Sequence, residues 1–340
     1  MLRVHFLNVG HGECTIIEHP SGRLTMVDIN TSEEYDSDSL NEYIEEKRRA
    51  RIAANALAGD LFGSGIGMPS APLGGVLGGA ETNFLFEWTA RDDAKREVTD
   101  PIDFLRTHYP NRQLFRFILT HPDLDHMRGL KRLHETIGFA NFWDVAHTKT
   151  APTFRSDADK EDWHFYQQLR SGSLGLGPRM YYRGDCLFAF GRNEQGLLGG
   201  DAIEILSPTP ALVYSCNAAE KSNDLSYVLR ISHAGRRVLL TGDVEEEAWS
   251  NLVLTHGVSL KTDFMSASHH GRDSGYYLPA LKLIAPLVIV VSVGRKPPTD
   301  ASRKYCANCS NVFSTRYYGN LELRIFDDGT NRWFAQRNGT

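Results

Sequence analysis

Short apolar runs separated by turn-forming residues open the chain and predict β-structure. The segments LRVHFLNVG, CTIIEH and LTMVDIN follow one another near the start of the chain. A turn-forming run, PSGR at 20–23, lies between the second and the third. This pattern predicts a β-hairpin or a meander, with Asp28 near the end of its last strand.

From residue 100 onward, strand-like runs alternate with segments of helical periodicity. Predicted helices lie at 100–108, 129–136, 244–254 and 277–284. Predicted strands lie at 115–120, 202–207, 226–231, 237–241, 264–268 and 287–293, with a closing hairpin at 321–326 and 333–336. The stretch 149–200 is polar and Gly-rich and has weak periodicity. A β-rich part followed by a mixed part indicates a layered α/β sandwich.

The stretch between these two parts has a different composition. Residues 38–57 are charged and then Ala-rich, which is compatible with a helix, whereas Gly, Ala, Pro and Ser dominate 59–79. Because such a composition buries little apolar surface, we expect a mobile loop or a lid there. The chain is therefore interpreted as one domain, 1–340, with a partly flexible insertion at 31–99.

Composition excludes few functions. Hydrophobic residues make up 41% and charged residues 23% of the 340 residues, as in an ordinary globular protein. The net charge of -5 gives no global basic footprint for nucleic acid, although a local basic rim would be enough to guide a phosphate backbone. Five irregularly spaced cysteines argue against a disulfide framework. The pair Cys306 and Cys309 lacks the second pair that a zinc ribbon needs.

The location is predicted from apolar stretches. The N-terminal run has no long apolar core of the kind that signal peptides carry, and no stretch approaches 18 apolar residues. We therefore expect a soluble, cytoplasmic protein without a membrane partner.

One polar motif directly follows the predicted strand at 115–120. In His121-Pro-Asp123-Leu-Asp125-His126, four potential metal ligands fall within six residues. Two carboxylates this close repel each other, and a divalent cation relieves that repulsion. The alternative is a solvated polar turn, which the later motifs disfavour.

Two further motifs also end predicted strands. Thr241-Gly242-Asp243 places a carboxylate at the end of a strand, and Ser268-His269-His270-Gly271 supplies imidazoles at the end of another. Ligands of open α/β sheets bind at such strand ends. The three motifs together provide enough ligands for a two-metal site.

In this order, the motifs resemble those of the metallo-β-lactamase superfamily. Asp123 stands where the common superfamily motif has a second His. With LNVGHGE at 7–13 and NDLS at 223–226, the set resembles the hydrolase domain of the DNA-uptake channel protein of natural competence and its soluble relatives. The resemblance covers 1 to about 30 and 103 to about 326. It implies a four-layer αββα metallo-β-lactamase sandwich and a nuclease or phosphodiesterase activity.

The resemblance also implies residue roles. His121 and Asp123 would hold the first metal ion, Asp125 and His126 the second, and Asp243 would bridge. One of His269 and His270 would be a ligand, and the other would face the substrate. The predicted catalytic residues are Asp125, Asp243 and His270, and the predicted substrate contacts are His11, Asn223, Ser226 and Arg272.

The chain departs from the family pattern at several positions. The family has Asp where this chain has Asn8, Gln at the place of His11, and Ser at the place of Arg272. A further mid-chain His ligand has no obvious counterpart, because His147 and His164 lack a matching context. Asn223, Asp224 or water are the candidates for that position.

The expected cofactors are two divalent metal ions, Zn²⁺ or Mn²⁺, with Mg²⁺ also open, because Asp123 makes the site richer in oxygen. The expected reaction is hydrolysis by a hydroxide that two metal ions activate. The substrate is DNA or RNA in the first hypothesis and a small ester, lactone or phosphoester in the second. In a third hypothesis the chain is a non-enzymatic interaction subunit. A protein partner in a larger assembly is also expected.

Overall fold

The computed structural model describes residues 1–31, 44–45, 48–49, 98–192, 196, 199–294 and 297–337. The chain divides into two compact units, one formed by Met1–Ser32 with Thr99–Thr340 and the other by Glu33–Val98. Almost all of the second unit lies outside the described residues, including the whole predicted lid at 59–79 and the predicted helix at 38–57 apart from 44–45 and 48–49, which are helical. The predicted single domain and the flexibility of its insertion therefore stay predictions.

The described strands form two sheets. They are β1 Leu2–Phe6, β2 Thr15–Glu18, β3 Leu24–Val27, β4 Arg116–Ile118, β5 Phe142–Trp143, β6 Pro178–Arg179, β7 Ile203–Ser207, β8 Val228–His233, β9 Arg236–Leu240, β10 Phe264–Ser266, β11 Val288–Val291, β12 Val312–Ser314, β13 Leu321–Ile325 and β14 Asn331–Ala335. The first sheet has the order β14-β13-β1-β2-β3-β4-β5-β6 and the second the order β12-β11-β10-β9-β8-β7. The last hairpin returns to the first sheet, where β13 pairs antiparallel with β1.

Eight α-helices are described. They are α1 Pro101–His108, α2 Leu130–Thr136, α3 Asp157–Arg170, α4 Pro210–Ala218, α5 Glu246–His256, α6 Leu278–Ile284, α7 Ser302–Cys306 and α8 Thr315–Tyr318. Helix α1 begins where the sequence predicts, because Asp100 accepts the backbone N–H of Ile102 and Pro101 occupies the first turn. None of the described helices is both long and apolar enough to cross a lipid bilayer.

Alternating side chains of the first sheet enter two separate cores. Leu2, Val4 and Phe6 of β1 pack into a core shared with the second sheet and helices α4 to α6. Leu24 and Met26 of β3 instead join the core formed with α1, α2 and α3. The layers are thus helices, sheet, sheet and helices, and the predicted four-layer αββα sandwich is confirmed.

Four of the described helices, α3, α4, α7 and α8, lie where the sequence pattern predicts none. Helix α3 occupies the stretch that is interpreted above as polar and weakly periodic, and α4 follows β7 without a predicted counterpart. The apolar periodicity of α3 is not evident in the sequence, because two of its buried positions are Asp159 and Asp162. Asp162 accepts the backbone N–H groups of Gly129 and Lys131 at the start of α2, which explains a buried carboxylate on the inner face of a helix.

Candidate metal centre

The motif at 121–126 lies in the turn that follows β4. Leu124–His126 forms one short 3₁₀ turn, and the backbone N–H of His126 donates to the carbonyl of Asp123 at 3.1 Å. His121 and His126 are both fully buried, whereas the side chains of Asp123 and Asp125 are about a quarter to a third exposed. The tight turn brings the two imidazole rings to a centroid distance of 4.2 Å.

Asp28, which directly follows β3, orients both of these imidazoles. Its Oδ2 accepts Nδ1–H of His126 at 2.8 Å and the hydroxyl of Thr120 at 2.7 Å. Because that hydroxyl donates to the carboxylate, its oxygen is left to accept Nδ1–H of His121 at 3.1 Å. Both imidazoles thereby keep a proton on Nδ1, which leaves Nε2 as the nitrogen that can bind a metal ion.

Asp243 reaches the same place from the end of β9. Its backbone N–H donates to the Ser226 hydroxyl at 3.1 Å, so the fully buried Ser226 supports the turn that carries Asp243. Gly242 is required in that turn, because its φ is +51° and a Cβ would lie 2.9 Å from Cβ of Ser226 and 3.1 Å from Cβ of Thr120.

The two histidines after β10 have different partners. Nδ1 of His270 lies 3.0 Å from the carbonyl oxygen of Ser292, which can only accept, so Nε2 is the nitrogen left to bind a metal ion. That Nε2 is 3.4 Å from Oδ2 of Asp125 and 3.5 Å from Oδ2 of Asp243. His269 instead pairs through Nδ1 with Glu245 at 2.9 Å, and its Nε2 is 3.8 Å from Asp243. His270 is therefore better placed than His269 to hold a metal ion, and the ligand role of either stays a prediction.

These side chains converge on the carboxylate of Asp243. Its Oδ2 is 3.3 Å from Nε2 of His126 and 3.9 Å from Nε2 of His121. Within the described residues, the groups that could hold a metal ion include His121, His126 and Asp243 as one set and Asp125, His126 and His270 as another. Asp123 joins the first set, because its Oδ1 is 3.5 Å from Nε2 of His121.

The buried donor atoms fit a divalent metal ion. In the described part of the chain, Nε2 of His121, His126 and His270 and Oδ1 of Asp243 are buried and make no hydrogen bond. Buried polar atoms are ordinarily satisfied, and an unsatisfied cluster of imidazole and carboxylate atoms is the donor set of zinc and manganese sites. The residues present therefore fit the cofactors that the sequence predicts, without selecting one metal.

The same packing shifts the titration of the ligands. Burial alone would lower the pKa of His270, but the carboxylates of Asp243 and Asp125 outweigh burial and raise it to about 9. Burial would also raise the pKa of Asp243, yet His270, His126 and His121 hold it well below its usual range. Metal ions would replace these protons, so the centre is built to hold positive charge beside Asp243.

Among the described residues, no mid-chain imidazole joins the first set, and a lysine contacts Asp123. Nζ of Lys149 donates to Oδ1 of Asp123 at 2.5 Å. His147 is buried and bonded to Tyr166, and His164 is exposed on α3, so neither contacts the metal ligands. The two other candidates have partners of their own. Asp224 accepts the backbone N–H groups of Glu245 and Ala248 at the start of α5, and Asn223 donates to Glu245.

Two of the predicted substrate contacts lie together beside the centre. Nη2 of Arg272 donates to Nε2 of His11 at 2.9 Å, and the ring of His11 is 5.1 Å from that of His270. Asn223 lies beside Glu245, the partner of His269. Ser226 belongs to the support of Asp243. The substrate contacts of all four residues stay predictions.

Sequence reasoning assigned no role to three supporting carboxylates. They are Asp28, which orients His121 and His126; Glu245, which orients His269; and Glu13, whose Oε2 is 3.9 Å from Nδ1 of His270. Burial raises the pKa of Glu13 to about 7, although His270 and His126 oppose the rise. Their positions in the sequence could have indicated two of them. Asp28 directly follows a strand, and Glu245 comes two residues after Asp243.

Comparisons with known proteins find similarity in solved structures only. No family model and no curated protein matches the chain. Igni18, a metallo hydrolase from Ignicoccus hospitalis, is similar at a TM-score of 0.44 and 13% identity over 98% of each chain. YhfI from Bacillus subtilis, a metallo-β-lactamase fold protein, has a TM-score of 0.40 and 11% identity over 92% of this chain and 96% of its own. CmlA, a diiron β-hydroxylase from Streptomyces venezuelae, has a TM-score of 0.37 and 10% identity over 90% of this chain and 49% of its own. These similarities concern the fold and not the substrate.

Proposed function

We propose that this chain is a metal-dependent hydrolase that cleaves phosphodiesters in nucleic acid. The observation that carries the proposal is the convergence of three buried imidazole Nε2 atoms, each without a hydrogen bond, on the carboxylate of Asp243. An arrangement of this kind has no structural use in a core, because buried polar atoms without partners destabilise the fold.

Two ions would divide the ligands between them. His121, Asp123 and Asp243 would hold the first ion, and Asp125, His126 and His270 the second, with Asp243 shared. Bound divalent ions supply an activated water and stabilise negative charge on the group under attack.

The residues around the ligands suit a phosphodiester. The guanidinium of Arg272, held beside the centre by His11, can bind a phosphate oxygen through a charge-assisted hydrogen bond. Nδ1 of His269 is held by Glu245, which leaves its Nε2 close to Asp243 to hold or donate a proton to a leaving oxygen. The carboxylate of Asp123 makes the ligand set richer in oxygen, which favours Mn²⁺ or Mg²⁺ over an all-His site. The resemblance of the motifs to the competence nuclease branch supports the same substrate class.

A metal-exchange assay tests the proposal. The metal-free chain is loaded with Mn²⁺, Mg²⁺ or Zn²⁺ and given linear, circular and single-stranded DNA, RNA, a generic phosphodiester and a lactone. We expect cleavage of the nucleic acids that disappears in Asp125→Asn and persists in the control Asp103→Asn, which changes an exposed carboxylate on α1. Binding should also weaken as the salt concentration rises. With a net charge of -5, the chain can bind the phosphate backbone only through local basic contacts, and salt competes with such contacts. Lactone hydrolysis without phosphodiester cleavage under any metal would refute the substrate class.

A further inference from the structure

The ammonium group of Lys149 is bonded to a carboxylate oxygen of Asp123 that the first metal ion would also use. Oδ1 of Asp123 accepts from Nζ of Lys149 at 2.5 Å, and it is also the carboxylate oxygen that lies 3.5 Å from Nε2 of His121. Ser222 links the pair, because its hydroxyl donates to the same Oδ1 at 3.3 Å and lies 3.2 Å from Nζ.

Lys149 is fixed in this position through its backbone. Nδ1 of His147 accepts the backbone N–H of Lys149 at 3.0 Å. Burial, assisted by Arg170, lowers the pKa of His147 to about 3, so the ring is neutral and Nδ1 is free to accept. Its Nε2 then donates to the hydroxyl of Tyr166, which itself donates to Asp144. A buried chain of hydrogen bonds thus holds the segment that directs Lys149 toward Asp123.

The second set of ligands has no such competitor. Among the described residues, the ion pair of Asp125 is with His270, and neither a lysine nor an arginine pairs with it. On His126 and His270 only a proton on Nε2 competes with the ion, because each Nδ1 is already hydrogen-bonded. An incoming ion therefore displaces only protons in the second set, whereas in the first set it must displace an ammonium group from Asp123.

We propose that Lys149 competes with the metal ion for Asp123, so that the second set fills at low metal concentration and the first set fills only at higher concentration. The inference rests on the metal-dependent function proposed above. In this proposal Lys149 determines how readily the first set of ligands is occupied. The number of ions bound to the chain then depends on the metal concentration.

Equilibrium binding of Mn²⁺ to the metal-free protein tests this inference without measuring activity. Free Mn²⁺ is counted by electron paramagnetic resonance during titration of the wild type, Lys149→Met and Lys149→Gln. The control is Lys131→Met, which removes an exposed lysine that pairs with Glu161. We expect one tighter and one weaker ion in the wild type. Loss of the Lys149 charge should tighten the weaker ion by about tenfold or more, as expected for removal of a competing charge-assisted hydrogen bond.

The outcomes separate the two proposals. The Lys149 inference is supported if the gain appears in both Lys149 variants, is absent in the control, and disappears when Lys149→Met is combined with Asp123→Asn. It is overturned if the weaker affinity stays the same or falls in both Lys149 variants while Mn²⁺ still binds. If neither the wild type nor the variants bind any Mn²⁺, Zn²⁺ or Mg²⁺, the proposed metal-dependent function itself fails.

Discussion

Replacing Asp28 by Asn should weaken metal binding although Asp28 is not itself a proposed ligand. In the wild type, Oδ1 accepts the backbone N–H of Thr120 at 2.7 Å, and Oδ2 accepts both the Thr120 hydroxyl and Nδ1–H of His126. An Asn side chain has one oxygen and one NH₂ group in place of the two oxygens. In Asp28→Asn, the NH₂ group must therefore face either the backbone N–H of Thr120 or Nδ1–H of His126, so that two hydrogen-bond donors oppose each other.

The structure sets the size of this effect. If the NH₂ group faces His126, the ring is driven to the tautomer with its proton on Nε2, and the lone pair needed by the metal is lost. If it faces the backbone of Thr120, a buried N–H loses its acceptor, which costs about 1–3 kcal/mol of stability. Because groups that support a ligand typically contribute about 10–100-fold to metal affinity, we expect a loss of this size.

The measurement is competition for Zn²⁺ with a chromogenic chelator, together with urea unfolding of the metal-free protein. Asp201→Asn is the matched control, since Asp201 is also buried and forms a buried ion pair with Arg116 that lies outside the proposed ligand sets. We expect Asp201→Asn to lower stability and keep its metal affinity, and Asp28→Asn to lose affinity beyond any loss of stability. Wild-type Zn²⁺ affinity in folded Asp28→Asn would refute the tautomer argument.

Three further predictions follow from the same geometry. Asp125→Ala should reduce phosphodiester turnover by more than the roughly 10–100-fold typical of residues that only support a ligand, while circular dichroism shows an unchanged fold; full activity with every metal would remove Asp125 from the centre. Arg272→Met should lower kcat/KM for phosphodiesters by about 10–100-fold, the range expected for hydrogen bonds from a charged group, and an unchanged value would exclude the phosphate contact. Burial lowers the pKa of His19 to about 3 from an ordinary 6.5, so the free energy of unfolding should fall as pH drops from 6.5 toward 3, because the unfolded chain takes up a proton that the folded chain excludes. His19→Gln should flatten that slope in urea titrations, whereas His164→Gln, on the exposed side of α3, should leave it unchanged.

The fold was predictable where local patterns coincide with tertiary packing. The strand at 115–120 corresponds to β4, and the Asp100 cap begins α1 as predicted. Helix α3 was not predictable in this way, because its buried face contacts the backbone at the start of α2 as well as apolar side chains. The buried Asp162 satisfies two backbone N–H groups there, and a carboxylate at such a position disguises the apolar stripe on which sequence patterns depend.

The centre shows the same division. The ligand motifs are local in sequence and follow strands, so their residue types and spacing indicate a metal site. Their partners come from elsewhere: Asp28 meets His126 across 98 residues, and Lys149 meets Asp123 across 26. No spacing rule connects those positions, because the contacts depend on how β3 pairs with β4 and on where the segment before α3 is anchored. The different placement of His269 and His270 likewise depends on a distant contact, that of His270 with the carbonyl of Ser292.

Backbone conformation adds an independent reason to regard this place as functional. Asp28, His269 and His270 all have positive φ, at +57°, +50° and +53°, a region that side-chain-bearing residues seldom occupy. Such residues cost on the order of 1–3 kcal/mol each, and they persist where the surroundings demand them. Here, the strained positions carry two imidazoles and the carboxylate that orients two more. Three features destabilise the metal-free fold at this place: backbone strain, buried donor atoms without hydrogen bonds, and closely packed charges. A bound cation would stabilise both the unbonded donor atoms and the packed charges.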